Sequence, residues 1–167
     1  MSFSSIKPVV SDSSPLILYS RIDRLDILQS LYHRIAVPPA VRNEVTDDVG
    51  SRAGSEEVSR ASWIHEQNPT NRAQVEALRQ KLDRGEAEAI VLAQELSTDS
   101  WLLVDDLAAR KVALAHKLNI IGSAGILITA KDREPISEVR PILLELVDAG
   151  LRASTDLITT IINAAHE

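Results

Sequence analysis

The chain has 167 residues, 44% of them apolar but only 3% aromatic, so its core has to be built from Leu, Ile, Val and Ala. A formal net charge of −6 argues against a broadly basic nucleic-acid binder. The lack of any cysteine excludes disulfides, thiolate zinc sites and cysteine nucleophiles together.

Met1 to Lys7 is short and polar, with no apolar stretch of the kind a signal peptide needs. The apolar runs are too short to span a bilayer, so a soluble, cytoplasmic protein with no membrane partner is expected. One domain over residues 1–167 is expected from the length. Between Leu107 and Arg140 six Lys/Arg face three acids, a locally basic stretch in an acidic chain.

Val9 to Ser11 reads as a first strand, followed by Asp12-Ser13-Ser14-Pro15, a helix start with a capping residue and a first-turn proline. Leu16, Ile17, Leu18 and Ile22 continue one helical stripe, and Leu25, Ile27, Leu28 and Leu31 carry a second. Arg34 to Val37 is a second strand, stopped by Pro38-Pro39, and Pro39 opens a helix bearing Val41, Glu44 and Val45. Asp47 to Ser55, with two glycines, reads as a loop, and a short strand is expected around Trp63-Ile64. Thr70 or Asn71 caps a helix with Val75, Leu78 and Leu82. Gly85 separates it from a helix over about Glu86 to Leu96.

Trp101 to Val104 is the clearest buried strand, ended by Asp105 or Asp106, which caps a helix rich in small residues. Asn119 to Ile121 is another strand, and Gly122-Ser123 turns it into a helix through Lys131. Ile142, Leu143, Leu146 and Val147 mark a further helix, and a last one runs from about Thr155 to Ala165. Strands alternating with helices imply a three-layer α/β/α sandwich with a central parallel sheet.

In such a sheet, strand ends and helix starts on one edge converge on a single crevice. Four acidic signals fall at such places: Asp12, Glu44, Glu86 with Glu88, and Asp105 with Asp106. Gathered carboxylates repel one another unless a cation lies between them. Each has a plainer alternative, since Asp12 suits a helix cap and Glu44 or Glu86 suits the dipole of a first helical turn. Glu86 is preferred to Glu88 because it shares a face with Ala89, Ile90 and Ala93, and Asp105 is preferred to Asp106. The four histidines are scattered, and no Gly-x-Ser-x-Gly elbow or dinucleotide fingerprint is present.

The ordered set Val9-Val10-Ser11-Asp12-Ser13-Ser14-Pro15, Val37-Pro38-Pro39-Ala40-Val41-Arg42-Asn43-Glu44-Val45, Gly85-Glu86-Ala87-Glu88-Ala89-Ile90 and Leu102-Leu103-Val104-Asp105-Asp106-Leu107-Ala108-Ala109-Arg110 resembles a PIN domain. More narrowly it resembles the PIN-like subfamily in which the last signal continues into Gly122-Ser123-Ala124-Gly125 and an Ala130-Lys131 pair. The resemblance runs from about residue 8 to 165. It implies a metal-dependent ribonuclease, in many members the toxin of a prokaryotic toxin–antitoxin pair. It places the four acids on Asp12, Glu44, Glu86 and Asp105, with Mg²⁺ or Mn²⁺ as cofactor and Ser14 and Ser123 as supporting hydroxyls. RNA is the implied substrate, and an antitoxin protein the implied partner. The alternative is a PIN-like module that binds nucleic acid or protein with little or no cleavage. Apart from the resemblance, the apolar stripe Leu157, Ile158, Ile161 and Ile162 of the last helix suits either the core, which is the expectation, or a contact with a second copy of the chain.

Overall fold

Five strands of three residues each, β1 (Val9–Ser11), β2 (Ile35–Val37), β3 (Ile64–Glu66), β4 (Trp101–Leu103) and β5 (Asn119–Ile121), form one parallel sheet in the order β3-β2-β1-β4-β5. The computed structural model describes residues 6–49 and 53–167. β1 and β2 are buried along their whole length, as a parallel sheet covered on both faces requires. Between the strands run α1 (Ser13–Arg21), α2 (Leu25–Tyr32), α3 (Pro39–Val49), α4 (Ala53–Arg60), α5 (Arg72–Leu78), α6 (Arg84–Leu96) and α7 (Leu107–Ala115). After β5 come α8 (Ser123–Asp132), α9 (Arg140–Asp148) and α10 (Thr155–Ala164). The result is the expected three-layer α/β/α sandwich. Among the described residues, no helix is long and apolar enough to cross a membrane.

The core is aliphatic, as the composition requires. Val10, Ile90, Leu102, Leu103, Ile126 and Leu127 are fully buried, and each contributes roughly 1.5–3 kcal/mol by leaving water. α6 lies against β1 and β4 and also touches α3, α5 and α7. Crowded by so many neighbours, it buries Ala87, Ala89, Val91 and Ala93 as well as Ile90 and Leu92, so it has no single packed face.

Two expectations need correction. The segment read as a loop from Asp47 to Ser55 contains the end of α3, which runs to Val49, and the start of α4 at Ala53; Gly50, Ser51 and Arg52 lie outside the described residues. Contact of α4 with α1 and α3, anchored by buried Val58, overrides the loop-like composition. Gly85 does not separate two helices either. It is the second residue of α6, whose cap is Asp83. A Cβ at Gly85 would lie 3.2 Å from Oε2 at the flexible end of Glu44 and 3.4 Å from Val41 Cγ2, which places this turn of α6 close against α3.

The central strand β1 is bonded to β2 on one side and β4 on the other, with Ser11 level with Leu103. The chain winds outward through β2 and β3 and then returns to the far side of β1. This reversal opens the sheet's topological switch point at the carboxyl ends of β1 and β4.

Candidate active site

Asp12 follows β1 directly, and its backbone N–H still donates to the Leu103 carbonyl at 2.9 Å, holding it on the sheet edge at the switch point. It stands at the cap position of α1, yet its side chain makes no capping bond. The residue is 3% exposed. Among the described residues its Oδ1 has no hydrogen-bond partner. Burial pushes this carboxyl well above the ordinary range; the Ser13 N–H opposes the shift, and the charges of Glu86, Asp83 and Glu44 add to it.

Glu86 enters from the first turn of α6 through a capping box: its N–H donates to Asp83 Oδ1 at 2.8 Å, and its Oε2 accepts from the Asp83 N–H at 3.1 Å. Burial and the neighbouring Asp83 raise it to about 7 against the pull of that backbone N–H, and Asp106 and Glu44 push in the same direction. Glu44 is exposed on α3, facing Gly85 across the α3–α6 contact. With Asn43, Asp47 and Asp83 it lines a shallow cleft of about 630 Å³. Asp83 belongs to this charge cluster and was not singled out from the sequence, although Asp83-Arg84-Gly85-Glu86 is a legible capping-box pattern.

Glu88 is different in kind. Its side chain is 2% exposed and accepts from Arg72 Nη2 at 3.0 Å and Arg84 Nε at 3.1 Å. It also accepts from the Ala40 N–H at 3.4 Å, at the start of α3. Burial alone would raise its pKa, but these bonds outweigh burial and hold it below the usual value. Its charge is already compensated, and it ties α5, α6 and α3 together.

Asp105 and Asp106 divide their work. Both lie beyond the last residue of β4, so strand alternation does not decide where they point. Asp105 accepts from the Ser123 N–H and hydroxyl at 2.7 and 2.6 Å. Burial raises its pKa, while those two bonds and the nearby Arg110 moderate the rise. Asp106 accepts from the Ala109 N–H at 2.9 Å and caps α7. A cleft of about 1080 Å³ is lined by Ser14, Glu86, Asp105 and Asp106, by the cations Arg21, Arg110 and Arg152, and by apolar residues of α1, β5 and α10. Ser14 faces this cleft, and among the described residues its hydroxyl bonds no carboxylate.

The donors are all carboxylate oxygens, the chemistry of a hard divalent ion. Among the described residues no three His, Asp or Glu side chains stand close enough to hold an ion as they are. The buried Oδ1 of Asp12 still fits such a group, because no donor among the described residues meets it and an ion would satisfy its lone pair.

Fold and site together define a three-layer α/β/α protein with an acidic crevice at the switch point of its sheet. The family model DUF3368, a PIN domain, matches residues 8–167, and the chain belongs to the PIN domain family, as the resemblance of its motifs implied. PIN domains are generally nucleases and generally use divalent metals. No curated protein matches the chain.

Proposed function

We propose that this PIN domain is a metal-dependent ribonuclease whose working carboxylates are Asp12, Glu44, Glu86 and Asp105. The observation that carries the reading is Asp12: 3% exposed and pressed by the charges of Glu86, Asp83 and Glu44, with one oxygen that has no hydrogen-bond partner among the described residues. An ionised carboxylate buried without a partner costs several kcal/mol, which a bound cation offsets. Asp12 and Asp105 are the direct ligands in this reading, with Glu44 and Glu86 as further ligands or as groups that orient the attacking water. When bound, Mg²⁺ or Mn²⁺ supplies Lewis-acid activation of water and stabilises charge on the attacked phosphodiester. Ser123 fixes the Asp105 carboxylate through both of its oxygens, so that ligand is oriented before any ion arrives.

The resemblance of the motifs extends the proposal to the toxin of a toxin–antitoxin pair, with single-stranded RNA as substrate and an antitoxin as partner; the apolar stripe of α10 adds a homodimer as a further assembly. The experiment is cleavage of labelled RNA with and without Mn²⁺, beside calorimetric titration of Mn²⁺ into the wild type and Asp12→Asn. Loss of both binding and cleavage in the variant is expected; metal-dependent cleavage that survives Asp12→Asn would sink the assignment.

One observation favours a second reading, a PIN-like binding module that does not cleave: among the described residues no three candidate ligands are close enough to hold an ion as they stand. The same titration separates the two, because a module of that kind binds RNA without taking up Mn²⁺ at Asp12.

A further inference from the structure

Arg110 is a cation set into the wall of the larger cleft, which it lines with Glu86, Asp105 and Asp106 and with two further arginines, Arg21 and Arg152. The economical arrangement would be an ion pair with Asp105, whose pKa it already lowers. That pair is not made. Ser123 takes both Asp105 oxygens, at 2.7 and 2.6 Å. Among the described residues Arg110 forms no ion pair, and its one hydrogen bond runs from Nη1 to the Val104 carbonyl at 3.0 Å. One of five N–H donors is thus used to pin the guanidinium to the end of β4, and the rest of a planar fork suited to phosphate is left on the cleft. Gly122 keeps that place open: a Cβ there would lie 2.8 Å from Arg110 Nη1 and 3.1 Å from Asp105 Oδ1.

We infer that Arg110 receives a phosphate of the substrate strand, holding it in the cleft that Glu86 and Asp105 line. The inference rests on the ribonuclease reading and adds the group that binds the anion, which the carboxylates alone would repel. A purely structural role, a latch on Val104, predicts different behaviour.

The test uses the full chain as wild type, Arg110→Gln, which removes the charge but keeps a polar amide, and Arg110→Lys, which keeps the charge. Binding of a fluorescein-labelled single-stranded RNA is followed by anisotropy in Ca²⁺ over a range of salt, and Mn²⁺ uptake is measured by calorimetry. All three proteins should take up Mn²⁺. Arg110→Gln should bind RNA about ten-fold more weakly, with a salt slope shallower by about 0.7, the increment for one phosphate contact on a single strand. Arg110→Lys should keep the wild-type slope. A wild-type slope in Arg110→Gln, or equal weakening in both variants with slopes unchanged, would overturn the inference while leaving the nuclease reading intact. A wild type that takes up Mn²⁺ but neither binds nor cuts RNA would overturn the ribonuclease reading itself, and this inference with it.

Discussion

Ser123 holds Asp105 by both oxygens, its N–H donating to Oδ1 at 2.7 Å and its hydroxyl to Oδ2 at 2.6 Å. Asp12, one strand away, has an oxygen that no group among the described residues holds. Two buried or half-buried acids at neighbouring strand ends are therefore prepared in opposite ways: one is fixed in direction, the other left electrostatically incomplete. The difference originates in the turns at the strand ends. After β5, the Gly122-Ser123 turn presents an N–H and a hydroxyl toward the end of β4. After β1, Asp12 passes straight into α1 with no side-chain cap.

Removing the Ser123 hydroxyl should therefore act through Asp105. In Ser123→Ala the backbone bond survives and the 2.6 Å hydroxyl bond is lost. The carboxyl should rise further in pKa, because one of the bonds moderating its elevation is gone. By the usual effect of losing a group that orients a ligand, Mn²⁺ affinity or cleavage should fall roughly 10–100-fold. Calorimetry beside single-turnover cleavage checks this; a variant with wild-type affinity and rate would show that the hydroxyl does not orient a working ligand.

Metal uptake should depend on pH in a definite direction. Glu86 sits at about 7, and Asp12 and Asp105 are also raised, so each binds its proton more tightly in the folded chain than in the unfolded one. The stability these groups contribute is complete below their unfolded values near 4, and for Glu86 it is lost as pH climbs to about 7. A metal ion has to displace those protons. Apparent Mn²⁺ affinity should rise between about pH 6 and 8 with measurable proton release, seen as a buffer-dependent heat of binding. Glu86→Gln should flatten that rise; a pH-independent affinity in the wild type would contradict it.

β1, β2, β4 and β5 were legible because each is a short, largely apolar run ended by Pro, Gly or an acid, and their alternation with helices left few topologies open. β3, Ile64-His65-Glu66, has one apolar residue and was legible only as a strand around Trp63-Ile64. The α3–α4 junction was not, because its glycines and serines look like loop while Val58 and the neighbouring helices decide the outcome. The same limit governs the acids. Choosing Glu86 over Glu88 by helix face has no force when α6 is buried nearly all round. What separates them is partnership: Glu88 meets Arg72 from α5, a contact made by folding, while Glu86 meets more carboxylates. Asp105 and Asp106 likewise differ by partner: Asp106 takes the local Ala109 N–H, while Asp105 is held by Ser123, which lies across a helix and a strand from it in the chain.

Glu88 should behave as a structural acid. Its carboxylate is 2% exposed and joins two arginines to the start of α3. Because Arg72 and Arg84 are 45% and 59% exposed, they return to water when it is removed, which limits the loss. Glu88→Gln should cost about 2 kcal/mol, the scale of hydrogen bonds to a charged group, or roughly 4–8 °C in Tm for a chain of this size. Glu86→Gln should not destabilise at pH 7, since it removes an acid surrounded by acids. Thermal melts of the two variants check the contrast, and an equal loss in both would erase the distinction drawn between them.

Asp12→Asn should separate stability from function most sharply. At neutral pH the metal-free wild type bears the cost of an acid raised by burial and by Glu86, Asp83 and Glu44. The amide carries no charge to desolvate or repel, so the variant should melt higher than the metal-free wild type. One unit of pKa elevation corresponds to about 1.4 kcal/mol, and each kcal/mol to roughly 2–4 °C in a chain of this length. The gain should fade as pH falls toward 4, where the wild-type carboxyl is itself neutral. Saturating Mn²⁺ should reverse the order, because the wild type gains stability by binding and the variant does not. Melts at pH 7 and pH 4, with and without Mn²⁺, test each part; a variant less stable than the metal-free wild type at pH 7 would mean that Asp12 is satisfied in the resting fold and has no need of a cation.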